Sequence, residues 1–183
     1  TVDYVTRNKV YKFCTKSIFK LGWEDTQELE RYTKNLHSKW SLQDLKNCGL
    51  FPYIKNCFSK SKNFKFDEKK ISIIELNIVK SDDVHYIHTH ENWIGALYYV
   101  NLNWEDGFYG ETFFYNSKDL SKIEFASVYK PGRMILFDGH IPHTIRPQSI
   151  KGPKFRFTLS VFLRKWKLNI YNILSTIPLY IMC

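Results

Sequence analysis

"VHYIHTHENWIGALYYVN" (residues 84–101) sets three of the chain's six histidines within six positions, then runs straight into aromatic and β-branched residues. The second half reads as a buried strand, because Ile, Val and aromatic side chains suit a pleated, packed surface. The first half loads the entry to that strand with imidazoles. Three histidines so close together suggest a metal or a proton relay, and which of these applies depends on what else the chain supplies.

Working outward, short runs of the same kind recur from residue 70 onward: "ISIIELNIV", "VHYIH", "IGALYYVNL", "ETFFY", "KIEFASVY", "RMILFD", "HTIRP" and "FRFTLSVFLRK". Turn-formers separate them: "SDD", "EDG", "NSKD", "KPG", "DGHIP" and "SIKGP". Short strands without intervening helices predict a mainly β, antiparallel sandwich or barrel, of which the jelly roll is one form. Residues 1–66 are mixed and predict a helical support region packed on one sheet face. Residues 67–183 form the β core, the two making one domain overall. "EDTQELERYTKNLHSKW" carries acidic residues early and basic ones late, as a helix prefers. "SLQDLKNCG" predicts a short helix with Ser41 as N-cap, Asp44 at N3 and Gly49 as its stop. "PYIKNCFSK" predicts another, with Pro52 in its first turn. The apolar tail "LNIYNILSTIPLYIMC" is expected to pack on the barrel as a last strand or helix, a homodimer contact being its other reading.

The chain has 183 residues, 17% of them aromatic, and a formal net charge of +9. No 18-residue uncharged run appears, so no membrane span is expected. The lysines are spread along the chain, which describes a solvated basic surface. An anionic partner is the other reading of the charge. Four cysteines at 14, 48, 57 and 183 form no C-x-x-C pair, and no signal peptide precedes them. A reduced, cytoplasmic chain is the expectation. The sequence opens on Thr1 rather than Met, as a trimmed chain would.

On a regular strand His88 and His90 project from one face, with Tyr86, and His85 from the other. A third ligand must come from elsewhere, and "FDGHIPHTIRP" offers His140 and His143. Two neighbouring histidines plus His143 make a facial set with three open positions, which suits non-haem Fe(II). Glu91 and Asn92 are weaker candidates. Arg156 and Thr158 share a face of the last long run, and a buried guanidinium beside a hydroxyl suits a carboxylate. Arg146 follows His143 by three residues and is a candidate for substrate contact, although its parity favours the outer face.

The order H-x-ligand, "ALYYVNLNW", "GET-F", "PGRMILFD", "PH" and R-x-T resembles the 2-oxoglutarate and Fe(II)-dependent dioxygenases, closest to the prolyl-4-hydroxylase-like branch. The resemblance covers roughly residues 75–164. It implies a double-stranded β-helix. It also implies His88, His90 and His143 as metal ligands, and Arg156, Thr158 and Tyr99 as residues that bind the far carboxylate of 2-oxoglutarate. "YGETFFY" resembles the family's G-G-E-T-x-F with Tyr109 in place of the first glycine, which puts Thr112 and Phe114 on a strand lining the pocket. Trp93 joins them at the substrate side. The implied reaction hydroxylates a C–H bond of an amino acid, a proline-like peptidyl residue or another small molecule, consuming O₂ and releasing succinate and CO₂.

One departure matters. The family's second ligand is normally Asp, and His90 stands in its place. The alternative reading is therefore a three-histidine, cupin-like dioxygenase or a metal-binding module that does not use 2-oxoglutarate. Nucleic-acid dealkylation, known elsewhere in the superfamily, is disfavoured: the R-x5-R that accompanies it is absent, Phe162 standing where its second arginine would fall.

Overall fold

The computed structural model describes residues 2–21, 36–83, 85–165 and 180–182. Among the described residues three α-helices precede the long strands: α1 (Tyr4–Cys14), α2 (Leu42–Asn47) and α3 (Phe51–Ser59). The strands are β1 (Lys20–Leu21), β2 (Leu36–Lys39), β3 (Ile71–Val79), β4 (Trp93–Tyr99), β5 (Thr112–Asn116), β6 (Asp119–Ser127), β7 (Met134–Asp138), β8 (His143–Ile145), β9 (Arg156–Arg164) and β10 (Tyr180–Met182). A larger sheet runs β1-β2-β3-β9-β4-β7-β10 and a smaller one β6-β5-β8. Every strand pairing is antiparallel. The two sheets form a double-stranded β-helix, the mainly β architecture expected.

Strand β9 shows how the layers are held. It is buried along all but its last residue, because both of its faces are covered. Phe157, Leu159, Val161 and Leu163 pack into one core with Val10 and Cys14 of α1, Leu45 of α2, and Ile54 and Phe58 of α3. The alternate positions face the smaller sheet, where Phe162 joins Leu97, Tyr99, Phe114, Tyr129, Ile135 and Phe137. The period of two along a strand produces this division. Arg156, Thr158 and Ser160 lie on the second face, and a mainly apolar wall surrounds them.

The two predicted short helices form as read. Ser41 accepts from the Asp44 amide while the Asp44 carboxylate accepts from the Ser41 amide, a reciprocal capping box. Gly49 follows at φ +86°, and Pro52 sits in the first turn of α3. Helix α1 went unread in the sequence; its start is fixed by Asp3, whose side chain accepts from the Thr6 amide.

Three expectations are corrected. The helix predicted across 24–40 does not reach its end, since Leu36–Lys39 pair with Ile78–Glu75 as a strand. Strand β3 offers its edge there, and ladder pairing outweighs local helix preference. The first part of that prediction lies outside the described residues. "VHYIH" is not a strand: among its described residues only His88 makes a bridge, to His143. Cys57 is disulfide-bonded, whereas Cys14 and Cys48 are free and buried. Cysteine connectivity is a tertiary property that spacing does not reveal. The tail contributes Tyr180–Met182, paired with Phe137–Ile135, and the rest of it lies outside the described residues. No helix among the described residues is long and apolar enough to cross a membrane.

Candidate metal centre and carboxylate pocket

His88, His90 and His143 converge, one ligand nitrogen of each lying within 4.8 Å of the others. Their ring centroids stand 4.9, 4.5 and 5.2 Å apart. Strand parity does not bring them together, because residues 85–90 are irregular. Two backbone contacts do. His88 and His143 exchange N–H···O bonds at 3.0 Å in both directions. The His90 amide donates to the Gly139 carbonyl at 2.6 Å, and the Gly139 amide donates to the Trp93 carbonyl at 2.9 Å. A Cβ on Gly139 would run into the His90 carbonyl oxygen, so only glycine lets the β7–β8 turn sit against the His90 loop.

The ring tautomers suit metal binding. His88 Nδ1 lies 3.0 Å from the Tyr86 carbonyl, and His143 Nδ1 lies 2.8 Å from the Ile141 carbonyl. A carbonyl only accepts, so Nδ1 carries the proton and Nε2 the lone pair, the arrangement a metal-ligating histidine uses. Burial, with the charge of His88 as a lesser cause, lowers the His90 pKa to about 3. Burial acts first on His143 as well, followed by His88 and His90, and holds it well below its ordinary value. Both rings are neutral at pH 7, the form that binds a metal. The Phe162 ring stands tilted 4.6 Å from His90, and Phe137 and Phe114 stand 4.9 and 5.9 Å from His143, so the cluster has apolar walls.

Arg156 is fully buried. Its Nε donates to the Gly110 carbonyl at 3.0 Å and its Nη2 to Thr112 Oγ1 at 3.4 Å. The guanidinium lies 4.9 Å from the Tyr129 ring and 5.5 Å from the Tyr99 ring. Its Nη1 has no partner, and no ion pair neutralises it among the described residues. Burial lowers its pKa, while the Tyr99, Tyr129 and Glu111 side chains push the other way. Gly110, at φ +83°, permits this packing, since a Cβ there would stand 3.3 Å from Arg156 and 3.0 Å from Trp104. The Tyr99 hydroxyl donates to Thr112 Oγ1 at 2.9 Å and lies 3.2 Å from the Ser127 carbonyl. Thr158 is buried on the same β9 face, in register with Asn77 and Tyr99.

Thr112 and Phe114 both face this interior from β5. Thr112 meets Arg156, and Phe114 lies in register with His143. Two residues along a strand span about 7 Å, so β5 meets the guanidinium at Thr112 and the histidine cluster at Phe114, about that far apart. Trp93 packs at the entry of β4 with the Arg164 guanidinium 5.6 Å from its ring. Arg146 points away, as its parity indicated: it stacks 3.6 Å from the Tyr109 ring and lies 3.8 Å from the Glu111 carboxylate. His140 is turned outward onto Asp138 at 2.6 Å, outside the cluster. Glu91 and Asn92 are exposed, with Asn92 at φ 66° in the turn before β4.

Three contributors were not read from the sequence. Tyr129 looked like an ordinary strand residue, and Gly139 like an ordinary turn glycine beside a candidate ligand. His85 was assigned to the opposite face. Because the segment is irregular, parity does not apply, and the charges of both Arg156 and His88 act on His85.

No protein-family model matches the chain, and no curated protein matches it by sequence. Solved structures do match it. A prolyl-4-hydroxylase from Pseudomonas putida superposes with a TM-score of 0.65 at 14% identity, over 90% of this chain and 89% of that one. A prolyl hydroxylase from Trichoplax adhaerens, solved with a hypoxia-inducible-factor peptide fragment, gives 0.62 at 15%, over 89% and 80%. A prolyl 4-hydroxylase from Phytophthora capsici gives 0.54 at 15%, over 92% and 68%. At these identities the likeness is one of fold: the chain is built on the double-stranded β-helix that these prolyl hydroxylases share.

Proposed function

We propose that this protein is a non-haem Fe(II), 2-oxoglutarate-dependent oxygenase that hydroxylates a C–H bond of an amino acid or of a proline-like peptidyl residue. The observation that carries the reading is Arg156, fully buried, with Nη1 unpartnered and no ion pair among the described residues. An unpaired charge in an apolar interior is costly and is expected only where a counter-charge arrives with a ligand. A carboxylate is the anion that a guanidinium fork matches.

His88, His90 and His143 fit an iron(II) ion, having neutral rings, two tautomers fixed by backbone carbonyls and apolar walls. With three neutral ligands the metal keeps its full double charge, which favours an anionic chelator. When bound, iron with 2-oxoglutarate and O₂ supplies the oxidant, the cosubstrate leaving as succinate and CO₂. Arg156 holds the distal carboxylate, while Thr112, Thr158 and Tyr99 orient the guanidinium and wall the pocket. Phe114, Phe137 and Phe162 keep water from the cluster. Trp93 faces the entrance, where a ring or peptide would lie. The Trichoplax protein, solved with a peptide fragment, supports a peptide as substrate.

The second reading, a three-histidine oxygenase that ignores 2-oxoglutarate, draws on His90 in the carboxylate's place. It gives a buried, unpaired arginine nothing to do. The deciding experiment is anaerobic Fe(II) loading followed by 2-oxoglutarate titration, watched for the weak visible charge-transfer band of the chelate. A band that disappears in Arg156→Ala supports the proposal. Iron binding without a band supports the second reading.

A further inference from the structure

Arg156 Nη1 is not the only orphaned buried polar atom among the described residues. His85 Nε2 is buried and also lacks a partner. The chain leaves β3 at Val79, directly opposite Arg156 in the ladder. It next makes a bridge at His88, opposite His143. His85 therefore lies on the connector between the strand end paired with Arg156 and the bridge that holds the histidine cluster. Both ends act on it electrostatically: burial is the main influence on its ring, followed by the charges of Arg156 and His88.

A buried imidazole nitrogen without a hydrogen bond is costly for the reason that applies to Arg156 Nη1. A single ligand resolves both. A carboxylate offers two oxygens and about four lone-pair directions, enough for a guanidinium and an imidazole together. We propose that His85 is a second donor to the carboxylate held by Arg156, its Nε2–H completing the pocket and selecting a 2-oxo acid that carries a distal carboxylate. This rests on the functional reading above and deepens it by naming a residue that sets cosubstrate choice.

The test uses the full chain loaded with Mn(II), which binds without turnover, and measures calorimetric affinity for 2-oxoglutarate and for pyruvate, which lacks the distal carboxylate. His85→Ala and His85→Phe are expected to weaken 2-oxoglutarate binding by about tenfold or more, the loss of a hydrogen bond to a charged group. His85→Gln, which restores a donor, is expected to recover affinity to within about threefold. Pyruvate and Mn(II) affinities should not change. Equal losses for both acids, or weaker Mn(II) binding, would mean that His85 only supports His88, and the proposal falls. So too if all three variants bind 2-oxoglutarate as the wild type does. If the wild type binds Mn(II) but not 2-oxoglutarate, the functional reading itself fails and this inference with it.

Discussion

His90 and Gly139 are tied backbone to backbone, the His90 amide donating to the Gly139 carbonyl at 2.6 Å with no space for a Cβ between the two segments. This contact places the second histidine of an irregular loop against the turn that delivers the third. Gly139→Ala should therefore separate the ligands without dismantling the sheets. The expected result is a stability loss of about 1–3 kcal/mol and metal affinity lowered by roughly tenfold or more. Circular dichroism melts and a Co(II) titration would check both, and unchanged Co(II) affinity would show that the loop has another way to hold His90.

Position 90 distinguishes a three-histidine site from a damaged carboxylate site. His90→Asp restores a negative ligand and should retain or raise activity, with affinity moving toward the harder Fe(II) and Mn(II). His88→Ala and His143→Ala should abolish metal-dependent turnover. Full activity in either would remove the histidine cluster from the chemistry.

Arg156→Met keeps much of the side-chain length and removes the charge. Removing an unpaired buried charge should cost the ligand-free protein little, about 1 kcal/mol or less, whereas breaking a satisfied buried pair costs about 3–5 kcal/mol. The variant should also lose the thermal shift that 2-oxoglutarate gives the metal-loaded wild type, about 2.7 kcal/mol at a hundred times Kd. A strongly destabilised variant would mark Arg156 as a structural residue.

The metal-free protein should be acid-sensitive. His90 and His143 are neutral when folded, with pKa values lowered first by burial, and ordinary histidines of pKa 6.5 when unfolded. Above 6.5 neither state takes up a proton, and their contribution to stability is complete. As the pH falls below 6.5 the unfolded chain binds protons that the folded chain refuses, so stability declines toward the folded His90 value of about 3. A Tm fall of roughly 10 °C between about pH 7 and about pH 5 is expected in thermal scans. A flat profile would contradict the depressed values.

The strands β3, β4, β5, β7, β8 and β9 were legible in the sequence, because period-two burial and turn residues are local signals. So was the capping box of α2, which four consecutive residues make by themselves. The histidines of the cluster and the arginine of the pocket were also legible, as residue types at suggestive spacing. Local order could not decide how they meet. His88 and His90 were expected together on a strand, and instead reach one site through bonds to His143 and Gly139. Leu36–Lys39 carried a helical charge pattern and joined a sheet edge. His85 was assigned by strand parity, which does not apply because its segment is not a strand. The sequence by itself determined which side chains could bind a metal and a carboxylate. Only the tertiary structure decided that Arg156 Nη1 and His85 Nε2 are buried without partners, because the pairing of a polar atom depends on every segment packed around it.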